Sequence, residues 1–357
     1  MTKPLPQFLK IGILVVALIF ITSALAYMIP VALKSKTQGH ILLRLDRFDA
    51  LSELVLMDSD GGNIENLGYY LGSPAWSRDG RFVAAGCKFP DDSSELTKIC
   101  ILDMSTLINN RTNWWEHDAP VKTVAVLDVP ENCAGLEDED SNQTSGIISM
   151  SWSGDGKKLA IVCRPLKETS SIVCIVPLSG DMQCWNEEFG KNVFRVSWSP
   201  VEDLIAVSGA EESIINQVTK SEIYVVHPDG SDPTPFTEGW SAEWSPDGKQ
   251  LAFMKLVNEN RNDYIGVAVI DSDGKNLRLL YTSNSSHPVD IYCLAYCESG
   301  RLTWSPDGTR LAFLGVLPPI FNAFYLLFQL DVSTGKLTSL FDPSTFHSFI
   351  EEPAWGP

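Results

Sequence analysis

The chain has 357 residues, 44% hydrophobic and 10% aromatic, enough apolar material for a sizeable core, which excludes both a disordered chain and a mini-fold held by disulfides alone. Its 45 acidic and 27 basic residues leave a formal net charge of −18, which repels a phosphate backbone and excludes nucleic acid as a partner. An acidic surface is compatible with calcium, cationic peptides or plain solubility.

Residues 1–10 form a short tail carrying Lys3 and Lys10, and residues 11–33 carry no charge. As a helix the uncharged run spans roughly 34 Å, enough to cross a bilayer. The sequence predicts one retained transmembrane helix, because apolar residues continue past Ala24, Leu25 and Ala26 through Tyr27, Met28, Ile29, Val31 and Leu33. The competing reading is a signal peptide cleaved at that small-x-small site. Lys34, Lys36, Arg44 and Arg47 follow the span, so loop charge alone does not favour an outside C-terminus. Residues 34–39 read as a linker.

From residue 40 onward a repeat dominates. Five segments read PAWSRDGRFVAAG from Pro74, MSWSGDGKKLAIV from Met150, VSWSPVEDLIAVS from Val196, AEWSPDGKQLAFM from Ala242 and LTWSPDGTRLAFL from Leu302. A truncated sixth, EPAWGP, ends the chain. The repeat tryptophans are Trp76, Trp152, Trp198, Trp244, Trp304 and Trp355. Apolar alternation, a Ser-x-Asp-Gly turn and renewed alternation predict a β-hairpin. Asp79, Asp155, Asp247 and Asp307 are placed to accept turn N–H groups, and Gly80, Gly156, Gly248 and Gly308 to take positive φ. The third repeat has Val201, Glu202 and Asp203 here, which predicts a wider turn.

A second strand pair follows most hairpins, giving four-stranded antiparallel blades that bury their faces only by stacking radially, as in a β-propeller. Residues 40–75 lack a Trp-Ser unit, and joined to the terminal fragment they make one blade of about 40–45 residues. Six blades with a ring closed by both termini are therefore predicted over residues 40–357. Trp76 and Trp152 stand further apart than the next repeats, by too little for a seventh blade, so an insertion is expected at about 104–148.

Eight cysteines follow the repeat: Cys87, Cys100, Cys133, Cys163, Cys174, Cys184, Cys293 and Cys297. Cys87 and Cys163 occupy equivalent positions, as do Cys100 and Cys174, which predicts disulfides Cys87–Cys100 and Cys163–Cys174 across neighbouring strands. Cys133–Cys184 and Cys293–Cys297 remain, although pairing is not deducible from spacing. Disulfides persist outside the cytosol, and they place the propeller on the extracytoplasmic side. The competing reading is eight reduced, buried thiols.

No nucleophile elbow, phosphate loop or zinc-protease motif occurs, so no catalytic residue, metal ligand or cofactor is assigned. Asp58–Gly61 and Asp271–Gly274 resemble the start of a calcium loop but lack its later ligands, and read as turns. The repeat tryptophans read as inter-blade core. Trp114 and Trp115, beside the acidic run at 137–140, form a candidate contact patch. Asn110, Asn142 and Asn284 head glycosylation sequons.

The hairpins, together with the hydrophobic-Asp-x-Asp-Gly turn best seen at residues 52–62, resemble the TolB-type, WD40-like propeller repeats. The resemblance implies an extracytoplasmic propeller that binds other proteins and carries no catalysis. In the family's peptidase relatives the propeller gates a hydrolase domain not seen in this sequence, and its periplasmic member carries an α/β domain where this chain has the apolar segment. The expectation is a non-enzymatic, membrane-anchored scaffold for a protein or cell-envelope ligand. Alternatives are a propeller enzyme or calcium-dependent binder using channel carboxylates, and an inactive gating partner of a separate hydrolase.

Overall fold

Residues 39–46, 53–87, 98–105, 121–130, 133, 137–138, 143–144, 146–165, 171–185, 192–210, 221–259, 262–283, 290–291, 301–316, 326–340 and 349–357 are described in the computed structural model of the protein. The predicted membrane helix lies outside them. Among the described residues no helix is long and apolar enough to cross a membrane.

Six antiparallel blades follow one another around a ring. Blade 1 holds β1 (His40–Asp46), β2 (Glu53–Asp58) and β3 (Glu65–Tyr69), and takes its inner strand from the far end of the chain. Blade 2 comprises β4 (Leu71–Trp76), β5 (Phe82–Cys87), β6 (Lys98–Asp103) and β7 (Lys122–Leu127). A two-stranded hairpin, β8 (Glu137–Asp138) and β9 (Gln143–Thr144), precedes blade 3. That blade consists of β10 (Gly146–Trp152), β11 (Lys158–Arg164), β12 (Ile172–Pro177) and β13 (Gln183–Trp185). Blade 4 has β14 (Asn192–Trp198), β15 (Ile205–Ala210), β16 (Ser221–Val226) and β17 (Thr234–Glu238). Blade 5 has β18 (Trp240–Trp244), β19 (Gln250–Glu259), β20 (Asn262–Asp271) and β21 (Arg278–Thr282). In blade 6 the inner strand is interrupted: β22 (Asp290–Ile291) and β23 (Leu302–Trp304) both pair with β24 (Arg310–Val316), which continues to β25 (Leu326–Asp331) and β26 (Leu337–Ser339). The terminal strand β27 (Phe349–Gly356) returns to pair with β1, setting Ile41 opposite Trp355.

Radial stacking follows from the two-residue side-chain period of a strand. Ile41, Leu43 and Leu45 of β1 pack against Ala312, Leu314 and Leu327 of blade 6. Leu42, pointing the other way, joins Leu54 and Leu56 against Val83, Ala85 and Leu102 of blade 2. The remaining neighbours are joined in the same manner, so a buried apolar cluster fills each of the six interfaces. Middle strands sit between two such clusters and are buried on both faces, as in β11, where Leu159 to Cys163 are all buried. Outer strands face water, and Val124 and Val126 of β7 are exposed.

The hairpin turns repeat at atomic level. In four of them the serine hydroxyl donates to the aspartate two residues on, as in Ser77 to Asp79 at 2.6 Å and Ser305 to Asp307 at 2.6 Å. The same aspartate accepts the backbone N–H two residues further along. Gly80, Gly156, Gly248 and Gly308 close these turns at φ between 67° and 70°. The third repeat does not widen its turn. Ser199 N–H donates to the Leu204 carbonyl at 2.8 Å, the same five-residue span as Ser245 to Gln250. With no aspartate at this place, the Ser199 hydroxyl accepts the N–H groups of Val201 and Glu202.

The expected single insertion at 104–148 is divided. β7 lies inside it and forms the outer strand of blade 2, so the surplus residues fall on either side of a strand the blade needs. Disulfide pairing also departs from expectation in blade 3. Cys87–Cys100 is present as predicted, but Cys163 bonds Cys133 and Cys174 bonds Cys184, in place of Cys163–Cys174 and Cys133–Cys184. Both blades offer the same diagonal pair, and the difference lies on the fourth strand. Cys100 faces Val126 there, whereas Cys174 faces Cys184 directly, which releases Cys163 for Cys133. Cys293 and Cys297 lie outside the described residues.

Candidate functional site at the channel mouth

The inner strands converge on a central channel. Where they end, their tryptophans and turns surround a cavity of about 450 Å³. Trp152, Trp198, Trp244, Trp304 and Trp355 are buried, and a regular hydrogen-bond pattern locks the ring. Where the residue before a tryptophan carries a hydroxyl, that oxygen accepts the backbone N–H of the next blade's tryptophan: Trp198 to Ser151, Trp244 to Ser197 and Trp355 to Thr303, at 2.9, 3.0 and 2.9 Å. Where it does not, its carbonyl accepts the next indole N–H: Trp152 to Ala75, Trp304 to Glu243 and Trp76 to Ala354, at 3.0, 3.0 and 3.2 Å. Three interfaces of each kind complete the circle.

The rim is formed by the residue after each repeat serine, or its equivalent: Arg78, Gly154, Pro200, Pro246, Pro306 and Pro357. Pro200, Pro246 and Pro306 fix three of the turns, and Pro357 follows the terminal strand. Gly154 lacks a side chain, and the Arg78 guanidinium donates past this turn to the Pro200 carbonyl of blade 4.

Deeper in the cavity, Arg195 on β14 is 5% exposed. Its Nη2 forms an ion pair with Glu243 on β18 and donates to the Leu302 carbonyl at 3.3 Å. Arg301, also buried, donates to the Pro74 carbonyl at 3.1 Å. Each arginine thus reaches a blade two places away. Glu243 Oε1 also receives the Thr303 hydroxyl at 3.4 Å. These residues were not singled out from the sequence, yet a signal exists there. Three residues before the repeat tryptophans stand Ser73, Ser149, Arg195, Ser241, Arg301 and Glu352, and two arginines break a run of serines.

Beside the mouth lies an acidic depression of about 740 Å³ that includes Asp247, Asp271, Asp273 and Asp307. Its carboxylates serve the turns. Burial pushes Asp247 and Asp307 up, but the hydroxyls of Ser245 and Ser305 and the N–H groups of Lys249 and Thr309 outweigh it, so both stay below the usual carboxylate range. Asp271 is lowered by Gln250 and Asn276, and Asp273 by Lys275. No group of three metal-ligating side chains occurs among the described residues. Trp114, Trp115 and the three sequon asparagines lie outside those residues.

Two solved structures share this architecture. TolB from Acinetobacter baumannii is 16% identical with a TM-score of 0.61, over 100% of this chain and 74% of that one. The putative TolB from Agrobacterium tumefaciens is 15% identical with a TM-score of 0.53, over 90% of this chain and 99% of that one. The fold is a TolB-like propeller. No family model and no curated protein matches the sequence, which fits repeats whose identity resides in a few turn and interface positions. In this TolB-like propeller those positions are the tryptophans, the turn serines and aspartates, and the residues preceding each tryptophan.

Proposed function

We propose that the protein is an extracytoplasmic, membrane-anchored binding scaffold that engages a protein partner at the channel mouth and performs no catalysis. The observation that carries this reading is the rim: four prolines and Arg78 around a cavity lined by the repeat tryptophans. Proline turns and interlocked indoles lose little conformational freedom when a partner docks, which is the main saving available to a preorganised surface. The three disulfides among the described residues support an oxidising compartment, and residues 11–33 supply the anchor. The enzymatic alternative raised by the sequence is one that uses channel carboxylates. Among the described lining residues Glu243 is the carboxylate present, and it is held by Arg195.

In-cell photo-crosslinking tests the assignment. A crosslinker at Pro246 or Pro306 should give a discrete protein adduct whose yield falls in Arg78→Glu. The same probe at Thr234 on the outer strand β17 should give none. Adducts obtained only from Thr234 would overturn the assignment to this face.

A further inference from the structure

We infer that the channel beneath the rim is a binding site for a monocarboxylate carried on an apolar body. The central observation is Arg195. Its guanidinium has five N–H donors in a fixed plane, and among the described residues only Nη2 finds acceptors, in Glu243 and Leu302. Nε and Nη1 are buried and reach no acceptor among the described residues. Buried donors of a charged group are costly to leave unpaired, and these belong to a residue that lines a cavity of about 450 Å³. That volume lies within the range of small-ligand pockets, roughly 300–1,000 Å³.

Charge selects the class. Arg78, Arg195 and Arg301 against Glu243 leave two positive charges around the cavity, in a chain whose formal net charge is −18. A carboxylate meets that charge with one negative unit. A phosphate dianion would set twice the negative charge close to Glu243, where like charges in a partly desolvated space repel strongly. The guanidinium fork matches carboxylate oxygens, as it does phosphate oxygens, so the choice between them rests on the nearby Glu243 charge. The remaining lining, with Trp152, Trp198, Trp244, Pro246 and Pro306 among it, offers apolar surface to the rest of the ligand.

The site shares its cavity with the proposed partner surface, so the test must read each separately. The full chain in non-ionic detergent is titrated calorimetrically with phenylacetate, acetate and inorganic phosphate at ionic strength matched with chloride. Phenylacetate should bind more tightly than acetate, and phosphate should give no heat beyond the chloride control. Arg195→Lys keeps a cation beside Glu243 but removes the guanidinium donors, and should weaken phenylacetate by about tenfold, the loss expected for one charge-assisted hydrogen bond. If that variant does not fold, Arg78→Gln at the exposed rim provides the second reading, with a loss of a few-fold. Phosphate binding without carboxylate binding, or affinities unchanged in both variants, overturns the inference. Calorimetric silence accompanied by rim crosslinks also overturns it while leaving the scaffold reading intact. Carboxylate binding without rim crosslinks supports the site and removes the scaffold reading.

Discussion

The indole N–H of Trp76 donates to the carbonyl oxygen of Ala354 at 3.2 Å, across 278 residues of sequence. This bond occupies the same place in the ring as Trp152 to Ala75 and Trp304 to Glu243. The joint between the two ends of the chain is therefore chemically equivalent to joints made within it, and closure rests on the interactions that hold any two blades together.

Closure of this kind makes the last residues structural. Trp355 is buried between blades 1 and 6, and Trp355→Ala should cost roughly 3–5 kcal/mol, or about 10 °C in melting temperature. Deleting residues 349–357 removes the whole inner strand of blade 1 and should lower the transition further. A calorimetric transition unchanged by the deletion would contradict a ring closed by β27.

The two kinds of inter-blade bond predict different sensitivities. Ser197→Ala removes the acceptor of the Trp244 backbone N–H and leaves that donor buried, at a cost of about 1–3 kcal/mol. Ala75→Gly leaves the carbonyl that receives Trp152 in place and loses backbone restriction and one buried methyl, about 1 kcal/mol for each. Urea unfolding measures both variants, and a Ser197→Ala protein as stable as the unmutated one would contradict a structural role for that hydroxyl.

Non-reducing peptide mapping should recover Cys87–Cys100, Cys133–Cys163 and Cys174–Cys184. Removing Cys184 frees Cys174, and the loss of this short loop should cost on the order of 3 kcal/mol in the chain-entropy model. A Cys163–Cys174 peptide from the unmutated protein would instead favour the diagonal that blade 2 uses.

Acid sensitivity follows from the turns. The Ser153 hydroxyl and then the Lys157 N–H hold Asp155 below the ordinary carboxylate value, and Ser105, by hydroxyl and N–H, does the same for Asp103. A carboxylate with a depressed folded-state pKa stabilises the fold fully above its unfolded value of ~3.9 and loses that contribution as pH falls through the folded value. The melting temperature should therefore hold from neutrality to about pH 5 and decline below about pH 4. Asp155→Asn combined with Asp103→Asn should start lower and decline less steeply. A parallel decline would show that other groups govern the acid transition.

Much of the architecture is local in origin, which is why it was legible in the sequence. Each Ser-x-Asp-Gly unit closes its turn through atoms within five residues, and the apolar alternation on either side sets which faces are buried. The third repeat shows the limit. Its missing aspartate and glycine implied a wider turn, but the Ser199 hydroxyl took over the N–H groups and kept the span. The single insertion was misread because the outer strand β7 faces water and carries no repeat motif.

By itself the sequence determined the six-bladed ring, its closure by the two ends, and the turns, because these depend on short-range hydrogen bonds and on the side-chain period of a strand. Tertiary structure alone decided the partners of Cys133, Cys163, Cys174 and Cys184, since one diagonal spacing serves two pairings until the fourth strand places a cysteine opposite Cys174. It also decided the channel. Arg195, Glu243 and Arg301 lie in three separate repeats, and only radial stacking brings their charges into one buried space.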